Sequence, residues 1–407
     1  MINKVKLGDV CDLSIGFVGT VTSQYEEGGI PFFRTLNVKP YKIVDDDLKR
    51  ITLEFHESQK KSQLREGDIA MVHTGVPGIC CVIPKEYDNS NCIDMIVIKP
   101  HKDLVNPHYL AAYMNTIGYK HIEKLQVGCI QKHFNLKDAI ELEIFLPDIE
   151  TQNKIGHLIA EINNKIEINN SINTELESMA KTVYDYWFLQ YDFPCEDGRP
   201  YKSSGGKMVW NEEVKTEIPI GWNVKTLSSM GNLTMGQSPK SESYNEEEIG
   251  LPLINGAAEL QENGVIIGKY TSAPTRNCNV GDLIFCIRAT IGNLQYAERK
   301  YCLGRGVAAF TVKDSLYIEY MYQSLSNILD NYKKTLSGSI IVGITKDDLK
   351  DKGIIVPSER IISLYSNIVR DIHDKIRKNM EEIKELTELR EYLLPMLING
   401  QVTFEEA

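Results

Sequence analysis

Three groups of residues have types that could do chemistry, and in each the spacing decides the reading. Gly205-Gly206-Lys207-Met208 has the glycines and lysine of a phosphate cradle. It lacks the upstream glycine spacing and the Ser or Thr after the lysine that such a loop needs to hold phosphate and magnesium. No GxGxxG follows a strand. Cys80, Cys81 and Cys92 with His101 and His108 could ligate zinc by type, but their spacing is not that of a zinc site. Adjacent cysteines in an apolar strand fit a core instead. Asp148 and Glu150 after Pro147 look superficially like nuclease carboxylates. Both stand at a predicted helix start, where an acid caps free amides and meets the positive end of the helix dipole. There is no Asp- or Asn-led Pro-Pro-aromatic stretch of the kind used for amino-group methylation, and no Ser/His/Asp set. The chain reads as a non-catalytic component: no catalytic residue, no metal ligand and no cofactor of its own is assigned.

The elements that organise the chain are two long heptad runs. Ile155, Ile159, Ile162, Ile166, Asn169, Asn173, Leu176, Ala180, Val183 and Trp187 alternate four and three apart, the a/d seam of a coiled coil. Tyr365, Val369, Ile372, Ile376, Asn379, Ile383, Leu386, Arg390, Leu393 and Leu397 repeat the pattern near the other end. Pro147 and Pro357 precede the two runs. Each predicts a helix of about 40 residues, roughly 60 Å long at 1.5 Å per residue. Starts are expected at Asp148 and Ser358, and Pro395 is expected to end or kink the second helix. Asparagine on the seam costs stability and fixes register. The helices are expected to pair antiparallel, because the first must deliver the chain to a second domain and the second must return.

The helices belong to a larger duplication. LGDVCDLSIG ending at Gly16 matches LSSMGNLTMG ending at Gly236; Ile30-Pro31-Phe32-Phe33 matches Leu251-Pro252-Leu253-Ile254; Gly67-Asp68 with Gly78 matches Gly281-Asp282 with Gly292. Gly128-Cys129-Ile130 matches Gly338-Ser339-Ile340, and from Cys92 and Cys302 onward the alignment is taken as gapless. The unit is far longer than a solenoid repeat. Each half has short strands with Gly, Pro and Asn breaks plus helices near 106–119 and 315–332, so the fold class is α+β with a pseudo-two-fold internal repeat. The expected boundaries are a first domain at 1–146, a long helix at 147–190, a connector of turns and a hairpin at 191–224, a second domain at 225–356 and a second long helix at 357–400.

Composition bounds the rest. The chain has 407 residues, 42% hydrophobic and 25% charged, with net charge -11. That is ordinary globular composition and argues against simple coating of nucleic acid, without excluding local basic faces. No run approaches about 18 apolar residues, so no membrane span is expected. MINKVKLGDV has no apolar leader region. Nine cysteines without CxxC suggest reduced thiols in a cytoplasm.

In this order the residues resemble the specificity (S) subunit of type I restriction-modification systems. The resemblance covers essentially the whole chain. It rests on Phe145-Leu146-Pro147 running into Gln152 and Ile155; on Tyr186-Trp187-Phe188 with Asp192-Phe193-Pro194; and on the connector from Tyr201 to Trp210 followed by Ile218-Pro219 and Gly221-Trp222. It includes Gly304-Arg305-Gly306-Val307-Ala308-Ala309 and the stretch Leu393-Leu394-Pro395 to Val402. The first half departs from it with Cys92-Ile93-Asp94-Met95 against Cys302-Leu303-Gly304-Arg305, and Ser358 replaces a second proline.

The resemblance implies two target-recognition domains, separated by the helices, that read an asymmetric bipartite site in double-stranded DNA. It implies two modification (methyltransferase) subunits as partners, acting on adenine N6, and restriction subunits in a larger complex. S-adenosylmethionine, ATP and Mg are then expected on those partners. Specific reading needs cations for phosphates and planar donors or acceptors for base edges. In the first half the loops offer Arg34, Thr35, Asn37, Lys39, His73, Thr74, Gln131 and Lys132. In the second they offer Asn255, Arg276, Arg288, Thr290, Arg305, Lys333, Ser337 and Ser339. Tyr184, Tyr186, Phe188 and Phe193 are the expected docking surface for partner subunits. Two alternatives stay open at this stage: a coiled-coil scaffold with two ligand-binding heads and no nucleic acid, and a specificity subunit of a methylation-only system.

Overall fold

The computed structural model describes residues 3–125, 134–261, 264–336 and 343–404. Its chain divides into two compact units, Met1–Ser171 with Lys378–Ala407, and Ile172–Arg377. Each unit holds one globular domain, part of the first long helix (Ile149–Tyr184) and part of the second (Glu359–Ile398).

The duplication is visible strand by strand. In the first unit a four-stranded antiparallel sheet runs Cys11–Ile15, Met95–Pro100, Ile69–Val72, Cys80–Val82. In the second the same order is Gly231–Met235, Val307–Val312, Leu283–Cys286, Gly292–Tyr296. Each unit also pairs one strand in parallel: Phe33 opposite Cys92 in the first, Ile254 opposite Leu303 in the second. A two-stranded ladder closes each domain, Asn3–Lys6 with Glu143–Leu146 and Asn223–Thr226 with Gly353–Val356. The pairing corrects the alignment at one point. Met95 lies opposite Val72 and Val307 opposite Cys286, so Asp94 corresponds to Gly306 and the match from Cys92 onward is not gapless.

The central strands are apolar at every position because both sheet faces are covered. Ile69 and Met71 pack into one core while Ala70 and Val72 pack into another, as a two-residue period demands. Leu283 and Phe285, against Ile284 and Cys286, repeat the division. Both strands follow the same turn. Gly67 and Gly281 take φ of 86° and 84°, open to glycine, and the next aspartate caps the turn: Asp68 accepts from the Arg65 amide and Asp282 from the Asn279 amide. Cys80, Cys81 and Cys92 are buried core residues.

Asp148 caps the first long helix. The Thr151 amide and hydroxyl, both 2.9 Å away, hold its carboxyl below the usual carboxylate range. Within the first unit the two helices are antiparallel: Arg390 Nη1 donates to Asn163 at 2.6 Å and Asn169 Nδ2 donates to Glu382 at 2.8 Å. Lys165 also pairs with Glu382. Ile155, Ile159, Ile162, Ile166, Asn169, Asn173 and Asn379 are buried, as the seam requires.

The helix ends depart from the expected pattern. Ala180 is buried as expected, but beyond it Tyr184 and Phe188 are buried and Val183 and Trp187 only half-buried, and a π turn spans Asp185–Leu189. Steps of four and the wide turn follow the core of the second domain instead of a 3.5-residue seam. The second helix continues through Pro395 to Ile398. Leu394, Leu397 and Ile398 are buried in the first domain's core, and that packing outweighs one lost hydrogen bond. In the connector, Met208–Asn211 and Thr216–Pro219 form the hairpin.

Candidate nucleic-acid interface

In the second unit five chain segments end at one edge of the domain, and their backbones are stitched together there. The Gly304 amide donates to Ile254, the Gly306 amide to Asn255, the Ile287 amide to Gly306, and the Ile344 amide to Ile287, at 2.7, 3.1, 2.9 and 2.9 Å. The Leu303 amide donates to Arg276 at 2.7 Å. This ladder brings Asn255, Arg276, Arg288, Thr290 and Arg305 to one edge. Arg276, Arg288, Thr290 and Arg305 are exposed and Asn255 is half-buried. Among the described residues no carboxylate pairs with the three guanidinium groups. They are cationic, planar and open to solvent, which is the chemistry of phosphate and guanine contact.

The local geometry there is demanding. Thr290 donates its amide to Arg288 across Ala289, which takes φ 61°. Gly343 has φ 95° and sits against Arg288: a Cβ there would come within 2.7 Å of the arginine Cγ and 2.9 Å of the Ile287 carbonyl. Only glycine fits beside that arginine. Gln237 was not among the sequence candidates, yet it belongs to the same edge. Its amide donates to Leu303 at 2.8 Å and its side chain is exposed. The readable signal was its place directly after Gly236, the end of a repeated segment. Lys333 is exposed in the last turn of the Ile318–Leu336 helix, and no described contact ties it to this edge.

The first unit builds the equivalent edge from different side chains, and there several expectations are corrected. Asn37 is fully buried: its Oδ1 accepts from the Arg34 amide, and its Nδ2 donates to the carbonyls of Val44 and Asp46. These bonds consume its polar groups, so it shapes the loop and does not read bases. Arg34 is only half-exposed and donates to Asp47 at 2.9 Å, and Lys49 and Arg34 together hold that carboxyl below its ordinary range. It is a loop brace. His73 is buried and hydrogen-bonds the Thr74 hydroxyl, while its carbonyl receives the Phe134 amide, the counterpart of Ile287 with Ile344. Thr35 is half-buried, and Lys39 and Thr74 are exposed. Asp94 stands where the second unit has Gly306. Gln131, Lys132, Ser337 and Ser339, with the turns at Gly128 and Gly338, lie outside the described residues.

The expected docking aromatics are corrected as well. Tyr184, Phe188 and Phe193 are buried in the second unit's core. Phe188 lies edge-on to Tyr320 and Tyr365 at 4.8 and 4.9 Å, and Phe193 stacks between Tyr201 and Trp222 at 4.6 and 4.9 Å. Tyr184 meets the Ser324 hydroxyl at 3.1 Å, and burial raises its pKa above the ordinary tyrosine value. Aromatic area of this size is worth most inside a core. Tyr186 alone of the four is exposed.

Comparison with known proteins places this architecture. Residues 2–178 and 219–387 each match the family described as Type I restriction modification DNA specificity domain. The MjaX type I restriction enzyme specificity subunit of Methanocaldococcus jannaschii is 26% identical over 397 residues, covering 94% of this chain and 89% of that protein. The HindI specificity subunit of Haemophilus influenzae is 24% identical over 408 residues, covering 84% and 88%. The crystal structure of a type I restriction-modification S subunit from M. genitalium shares the fold with a TM-score of 0.59 at 17% identity, covering 100% of this chain and 97% of that one. The chain belongs to the type I restriction-modification specificity family and carries two copies of its DNA specificity domain.

Proposed function

We propose that this specificity subunit reads an asymmetric, bipartite site in double-stranded DNA, one half-site with each recognition domain. One observation carries the reading: the same backbone edge occurs in both units and presents different side chains. Open arginines 276, 288 and 305 stand in one. Thr74 and a braced Arg34 stand in the other. A shared frame with unlike readers suits two unlike half-sites.

The subunit itself has no catalytic role. It holds two modification subunits, which carry S-adenosylmethionine and methylate adenine N6. In the larger cytoplasmic complex it also holds restriction subunits that use ATP and Mg. The exposed apolar positions of the long helices, Ile168, Ile172, Met179 and Tyr186 on the first and Leu364, Ile368, Leu389 and Tyr392 on the second, serve as the partner-binding faces. Helix length sets the nonspecific gap: one heptad added to each helix extends it by about 10 Å and leaves both half-sites unchanged.

The decisive experiment maps N6-methyladenine across the host genome with and without this chain. A bipartite motif that disappears on deletion supports the reading, and an unchanged methylome refutes it. DNA binding by the chain with its modification subunit should weaken steeply with salt, since phosphate contacts release counterions.

A further inference from the structure

Arg390 occupies a position on the second helix's apolar seam that leucines hold on either side, at Leu386 and Leu393. Its guanidinium carbon lies 4.5 Å from the ring centre of Tyr41, and its Nη1 donates to Asn163 on the first helix at 2.6 Å. Its Nε is buried with no acceptor among the described residues. A charged group on a seam, with one donor unsatisfied, lowers helix stability relative to leucine, so stability alone does not account for it.

Tyr41 explains its place. It forms the tip of the hairpin Val38–Lys39 with Lys42–Ile43, takes φ 69°, and donates its amide to the Cys80 carbonyl. That hairpin lies in the loop braced by Asn37 and by the Arg34–Asp47 pair, and it carries the exposed Lys39. The next residue, Lys42, pairs with Glu167 on the first helix at 3.1 Å. The reading loop is therefore fastened to both long helices, by a cation over an aromatic face and by an ion pair.

We propose that Arg390 is a positioning residue for target reading by the first recognition domain: through Tyr41, and with Lys42–Glu167 beside it, it fixes residues 34–47 in register on the helix pair. This rests on the DNA-reading function proposed above.

The test uses the full chain in complex with its modification subunits, methylating duplexes in which each base pair of either half-site is varied. Arg288→Ala first identifies the half-site read by the second domain. Arg390→Gln and Tyr41→Leu are each expected to lower discrimination at the other half-site about tenfold, with the second domain's half-site unchanged. Tyr41→Phe, which keeps the ring, retains discrimination. Lys42→Glu lowers it, and adding Glu167→Lys restores it, a rescue that general packing damage would not give. Equal loss at both half-sites, or full discrimination by Tyr41→Leu, overturns the proposal. Tyr41 sits at a hairpin tip, so Tyr41→Leu decides alone if Arg390→Gln fails to fold. A wild-type complex without sequence preference at either half-site defeats the DNA-reading function itself, which separates the two failures.

Discussion

His373 Nδ1 lies 2.5 Å from Oε2 of Glu319, joining the second long helix to the Ile318–Leu336 helix inside one unit. The Tyr296 hydroxyl donates to the same carboxylate oxygen at 2.7 Å, and its ring stacks on Tyr322 at 4.9 Å. Burial, reinforced by the Glu319 charge, pushes the Tyr296 hydroxyl far above its ordinary range and keeps it a donor. One carboxylate thus satisfies groups from two other elements. Glu319→Ala removes this shared acceptor, leaving Tyr296 and His373, 3.2 Å apart, only each other, and is expected to cost about 3 kcal/mol. Glu319→Gln keeps one oxygen and should cost less. Denaturant unfolding of the full chain measures both, and equal losses would contradict the shared-acceptor role.

The burial of Phe188 and the exposure of Tyr186 predict opposite behaviour two residues apart. Phe188→Ala opens a cavity between Tyr320 and Tyr365 and is expected to cost about 3–5 kcal/mol of stability. Tyr186→Ala should stay within about 0.5 kcal/mol. If pull-down of the modification subunit weakens with Tyr186→Ala at unchanged stability, the exposed ring belongs to the docking face.

Arg288 is exposed beside Gly343, with no carboxylate partner among the described residues. Arg288→Ala should weaken cognate DNA binding by about 1–3 kcal/mol and relax preference at one position of one half-site. Fluorescence anisotropy on single-base variants distinguishes this from a phosphate contact, which would weaken all sequences alike. Unchanged affinity and preference would remove Arg288 from the interface.

Acid should destabilise the first unit through His56. The ring is buried, meeting Asn89 Oδ1 at 3.1 Å and the Asn91 amide nitrogen at 3.4 Å, an arrangement that suits neutral imidazole. Burial lowers its pKa below the ordinary 6.5, as it does for His108. With the folded value below the unfolded one, the unfolded chain binds protons first. The stabilisation is complete above the unfolded value and is lost as pH falls below 6.5 toward the folded value. The unfolding temperature should therefore drop between pH 7.5 and 5.5, and His56→Gln should flatten that slope. A wild-type profile flat over this range would argue against it.

The sequence alone determined the duplication, the two long helices, the buried seam from Ile155 to Asn173 and the Gly-Asp turns at 67 and 281. Each is a pattern of local spacing: a heptad, an alternation or a glycine at a fixed offset survives in one dimension. Tertiary structure decided what spacing does not encode. It turned Asn37 and His73 inward, closed Arg34 onto Asp47, and buried Tyr184, Phe188 and Phe193 in a core. It also added Gln237 to an edge assembled from five distant segments. Whether a polar side chain faces solvent or a neighbour depends on partners far along the chain, such as Arg390 beside Tyr41, and only folding brings those together.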